Sequence, residues 1–93
     1  MEYIHIGHDK AVRADDVVGI FDIDRTTVSR HTRRFLSREE KAGRVKNLAP
    51  DIPVSFVVCA GRDTGVYLSQ YTPATIARSL SDGDQTKNST DKI

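Results

Sequence analysis

Eight basic side chains crowd one stretch of this chain, Arg25, Arg30, Arg33, Arg34, Arg38, Lys41, Arg44 and Lys46, with only Glu39 and Glu40 to oppose them. Arg30, Arg34 and Arg38 repeat at four-residue steps, the spacing that places side chains on one face of a helix. A guanidinium fork matches the oxygens of a phosphate, so this text suits contact with a duplex backbone and needs no base reading. The rival reading is a helix that keeps its charged face in water, and on the residues alone that plainer reading is favoured.

The other reactive residue types do not assemble into a mechanism. Asp15-Asp16 and Asp22-x-Asp24 are paired carboxylates, but they stand where a turn and a helix cap are expected, without a companion histidine or a ligand cluster. His5, His8 and His31 lack metal spacing, and the single Cys59 lies in the apolar run Val54 to Ala60, where a thiol behaves as a small hydrophobe. Gly61 and Gly65 punctuate a hairpin and do not form a phosphate loop between a strand and a helix. We therefore expect a protein that is not an enzyme, with no catalytic residue, cofactor, metal or small-molecule substrate.

Charge is segregated along the chain. Residues 1–24 carry two basic and six acidic side chains, for −4, and residues 25–46 carry eight basic and two acidic, for +6. Residues 47–80 balance and residues 81–93 come to −1, leaving the net +1 of the whole. Such asymmetry concerns partners, since charge patterning does not choose a fold.

The elements that must hold the basic stretch are those of a small α+β domain. Tyr3 to Ile6 alternates as a strand, and Ala11 to Arg13 is its return arm. Val17 to Ile23 is β-branched and aromatic, a strand in which Gly19 marks a bulge or a close backbone approach. A central helix follows, capped by Asp24 or Thr26 and stopped at Gly43, with Val28, Thr32, Phe35, Leu36 and Ala42 on its packed side. Glu39 falls within that stripe, so either the last turn frays or Glu39 pairs with an arginine at a subunit contact. Arg44 to Leu48 is a weak strand, Val54 to Ala60 a buried one, and Val66 to Gln70 its hairpin partner. TPATIARSL is a short C-terminal helix with Thr72 as cap, Pro73 at the first position, and Ile76, Ala77 and Leu80 packed. Residues 1–80 make one domain, and the polar tail 81–93 is expected to be disordered. No apolar run is long enough to cross a bilayer and no secretory pattern opens the chain, so a cytoplasmic location is expected.

DRTTVSRHTRRFL invites a helix-turn-helix reading, but that motif needs a helix of about two turns ahead of its turn, and VVGIFDI is strand-like. A helical reading of residues 14–21 stays open as the alternative.

The segments YIHIGHD, VRADDVVGIFDID, VSFVV and VYLSQYTPATIARSL, in this order and spacing, resemble the small bacterial extracellular-matrix-regulator family, RemA and RemB, with VGIFD most similar to the RemB branch. The resemblance spans Tyr3 to about Leu80. It implies an α+β protomer that closes into a homo-oligomeric ring and, for the RemA branch, a ring that binds promoter DNA and activates biofilm matrix genes. That branch carries an arginine just before the strand of Val17 to Ile23, where this chain has Asp16, and an arginine pair ahead of the strand of Val54 to Ala60, where it has Pro50 to Pro53. Neither is matched, and Arg13 is near the first position without being its equivalent. Any double-stranded DNA contact then falls to Arg30, Arg33, Arg34, Arg38 and Lys41, or to Arg44 and Lys46. The competing expectation is a ring-forming scaffold without DNA binding, its arginines serving an acidic partner or the Asp15, Asp16 and Asp22 surface of a neighbouring subunit.

Overall fold

Alternating and β-branched segments form six strands among residues 2–79, the part of the chain that the computed structural model describes. Leu80 and the tail 81–93, expected to be disordered, lie outside the described residues. β1 (Tyr3–Gly7) and β2 (Lys10–Arg13) pair as an antiparallel hairpin with Ile4 opposite Val12. Their alternation buries Ile4, Ile6 and Val12 on one side and leaves Tyr3 and His5 exposed on the other. A 3₁₀ turn at Ala14–Asp16 leads into β3 (Val17–Asp22), so residues 14–21 are not a continuous helix. The β-branched Val17, Val18 and Ile20 explain that choice.

Four strands build the second sheet in the order β3, β5 (Ser55–Cys59), β6 (Gly65–Ser69), β4 (Val45–Asn47). β5 is antiparallel to both β3 and β6, while β4 runs parallel to β6. β3 and β4 therefore run the same way along opposite edges, and the chain joining them must cross the whole sheet. Three inter-strand gaps amount to about 14 Å. A helix of 12 residues, α2 (Arg30–Lys41), is about 18 Å long, enough for the crossing.

The crossover is not the single helix that periodicity predicts. It breaks into α1 (Ile23–Thr26), a turn over residues 27–29, and α2. The caps are Asp22, whose carboxylate accepts from the Arg25 N–H at 3.1 Å, and Ser29, whose hydroxyl accepts from the Thr32 N–H at 3.5 Å. Asp24 and Thr26, the expected caps, do not serve. The cause is local. Thr26 and Thr27 hydroxyls donate back to the carbonyls of Asp22 and Ile23, and Thr-Thr-Val-Ser combines β-branched side chains with a serine better suited to a cap than to a helix interior. Val28, expected on the packed stripe, sits in that turn 75% exposed, and Ala42 is an exposed C-cap.

Gly43 ends α2 as expected. Its φ of 76° is left-handed, and it lets the N–H groups of Gly43 and Arg44 reach the carbonyls of Glu40 and Glu39 at 3.0 and 2.9 Å.

One face of the four-stranded sheet carries the core. Val57, Cys59 and Tyr67 meet Ile4, Ile6 and Val12 of the hairpin and Ile76 from α3, residues 73–79. Fully burying an aliphatic side chain of this size contributes about 1.5–3 kcal/mol. α3 begins as the sequence indicates, with the Thr72 hydroxyl accepting from the Thr75 N–H at 3.1 Å. Ile76 is fully buried, but Ala77, expected to pack, is exposed. The buried hydroxyls of Ser55 and Ser69 both bond the backbone of Tyr71, fixing the approach to α3. Among the described residues, no helix is long and apolar enough to cross a membrane.

Candidate nucleic-acid interface

α2 lies on the sheet face opposite the core. Phe35, Leu36, Thr32 and Glu39 turn inward and are half-buried, while Arg30, Arg33, Arg34, Arg38 and Lys41 are exposed. Inward positions recur at steps of three and four, so the outward stripe is what remains, and the arginines fill it. Among the described residues, Arg30, Arg34, Arg38 and Lys41 enter no ion pair. Arg33 is partly engaged: its guanidinium donates to the Thr27 carbonyl at 2.6 Å, closing the turn between α1 and α2.

The two remaining candidate cations do not extend this stripe. Arg44 is held by Glu39 in a two-pronged pair, Nε to Oε1 at 2.8 Å and a terminal nitrogen to Oε2 at 2.9 Å. The left-handed turn at Gly43 brings the two residues together, so Glu39 finds its arginine within the chain, and the last turn of α2 does not fray. The Arg44 guanidinium holds the Glu39 carboxyl below the usual carboxylate range, and the same hydrogen bonds raise Arg44. Lys46 stands opposite Tyr67 in the β4–β6 register, and Tyr67 belongs to the core face. Lys46 is therefore on the other side of the sheet from α2. Sequence spacing alone could not reveal this, because the side taken depends on the parity of a three-residue edge strand.

The acidic residues are also dispersed. Asp22 is committed to capping α1, Asp16 is half-buried, and Asp15 is exposed in the 3₁₀ turn. Cys59 is buried beside Asp63 and Asp16, and desolvation followed by those carboxylates pushes its thiol up to about 11. It is protonated at neutral pH and a poor nucleophile.

A feature that sequence reasoning missed borders the helix. Val18, Phe21, His31, Thr32, Phe35, Phe56 and Val58 line an apolar groove of about 350 Å³ between α2 and the β3 edge. Phe21 stacks on Phe56 with ring centroids 5.1 Å apart. The β-bulge between Val17 and Gly19 turns Val18 outward, 66% exposed, and a Cβ at Gly19 would come within 2.5 Å of the Phe21 ring. Gly19 is thus both the bulge and the close approach, and its missing side chain is the space in which Phe21 lies.

The preceding strand and the single turn of α1 leave no first helix of the length a helix-turn-helix requires. Comparison with protein-family models and with curated proteins finds no match for this chain.

Proposed function

We propose that this protein is a non-enzymatic, DNA-associated transcriptional regulator of the extracellular-matrix-regulator type, acting in the cytoplasm as a homo-oligomeric ring. It grips the duplex backbone through Arg30, Arg34, Arg38 and Lys41, with Arg33 in support. The observation that carries the reading is that these cations are exposed on α2 and, Arg33 apart, enter no hydrogen bond or ion pair within the described residues, although Arg38 lies close enough to Glu39 to feel its charge. Guanidinium forks unclaimed by carboxylates are free to release counterions from phosphate, a sequence-independent source of affinity. A ring multiplies those few contacts along one duplex. The apolar groove beside β3, with Val18 exposed on its margin, offers a surface for self-association. The resemblance of the strand segments to RemA and RemB supports the same assignment.

Fluorescence anisotropy with a labelled duplex of arbitrary sequence at low salt tests it. Saturable binding is expected, and no binding at low salt removes the proposal. The groove also favours the second reading, a ring-forming scaffold. On that reading the oligomer forms, DNA is ignored, and replacing Arg30, Arg34 and Arg38 with Ala weakens assembly.

A further inference from the structure

The hairpin turn joining β1 and β2 stands over the β4 edge and encloses a cleft of about 370 Å³, lined by His8, Asp9, Lys10, Lys46, Leu48 and Tyr67. The volume lies within the range of small-ligand sites. Leu48 makes its apolar floor and packs so closely under the turn that a Cβ at Gly7 would come within 3.1 Å of it. Lys10 is pre-positioned: Asp63 takes its ammonium at 3.3 Å, and the same nitrogen lies 5.4 Å from the centre of the Tyr67 ring. The Tyr67 hydroxyl in turn donates to the Asp63 carbonyl at 2.9 Å, so ring, carboxylate and ammonium are held as one unit. His8 and Asp9 face each other at 3.9 Å on the rim. Of the two lysines that line the cleft, only Lys46 has no acidic partner among the described residues.

We infer that this cleft is a phosphate-binding site, separate from α2 and on the opposite face of the sheet. Lys46 supplies a charge that no carboxylate pairs with, since Asp63 is taken by Lys10 and Asp9 sits on the solvent-facing rim beside His8. Lys10 offers the hydrogens of its ammonium not directed at Asp63, an ammonium having three to donate. The ligand class is a phosphate monoester or a backbone phosphate, since each presents the anionic oxygens that two ammonium groups can share. The inference stands whether or not α2 binds DNA.

Titration of the isotopically labelled protein with inorganic phosphate, followed by amide NMR shifts, tests it. Saturable shifts at Lys10, Lys46 and Leu48 are expected, with sodium chloride at matched ionic strength producing none. Lys46→Gln weakens phosphate binding about tenfold, as befits the removal of one charged hydrogen bond. Lys46→Arg retains binding, and Ala at Arg30, Arg34 and Arg38 leaves it unchanged. A parallel titration with a short duplex separates the sources: the same amides shift if the phosphate is that of a backbone, and only inorganic phosphate moves them if it is a small ester. Shifts that chloride reproduces, or that survive Lys46→Gln at full affinity, overturn the site.

Discussion

The two faces of the four-stranded sheet are finished differently. On one, Ile6, Val12, Val57 and Ile76 are fully buried under the hairpin and α3. On the other, α2 crosses from edge to edge but leaves Val18 66% and Phe21 37% exposed where it meets β3. One helix about 10 Å wide cannot cover a four-stranded face, whereas a hairpin and a helix together can. The closed face holds the larger buried cluster, Phe56 and Val66 are buried on the other, and the open margin beside β3, with the arginine stripe near it, is where partners have room.

Substitutions on the two faces should separate stability from association. The largest stability effect belongs to the closed face: Ile6→Ala should cost about 2–5 kcal/mol in denaturant unfolding, the usual range for deleting a buried aliphatic side chain. Val18→Ser on the open face should change stability by less than about 0.5 kcal/mol, as for an exposed site. It should nevertheless shift the sedimentation profile toward smaller species. Comparable drops in stability from both substitutions would erase the distinction.

Between these extremes lies the junction of α2 and β4. Gly43→Ala places a Cβ at a φ of 76° with nothing within 4 Å, so the cost is conformational and not steric, about 1 kcal/mol by thermal or denaturant unfolding. A smaller effect at the same junction is that of Glu39→Gln. The Glu39 carboxyl is held below its usual range by Arg44, so its contribution is complete above the ordinary carboxylate pKa and disappears as pH falls through the lower folded-state value. The native chain should therefore exceed Glu39→Gln in stability at neutral pH, and the gap should close below about pH 4. A gap that persists at low pH would mean the pair does something other than hold charge.

Much of the closed face is legible in the sequence. Val54 to Ala60 and Val66 to Gln70 read as a hairpin because both runs are apolar and the glycines between them permit the turn. Thr72-Pro73 marks the start of α3 because a hydroxyl cap and a missing N–H both suit a first turn. The stop at Gly43 is legible for the same kind of local reason. The crossover is less so. Helical periodicity runs through Thr26 to Ser29 without interruption, but side-chain hydroxyls bonding back to carbonyls break it there, and this competition between side chain and backbone is weakly encoded in hydropathy. The candidate site divides along the same line. Arg30, Arg33, Arg34, Arg38 and Lys41 share a face because one helix carries them. The fates of Arg44 and Lys46, one claimed by Glu39 and the other on the opposite side of the sheet, follow from tertiary placement, which linear spacing does not contain.

The salt dependence of duplex binding probes the outward arginines most directly. For the native protein, the logarithm of the binding constant should fall linearly with the logarithm of salt concentration, and replacing Arg30, Arg34 and Arg38 with Ala should flatten that slope by about 0.9 for each phosphate left without its cation. A slope identical in the two proteins would contradict the assignment of α2 as the surface that meets DNA.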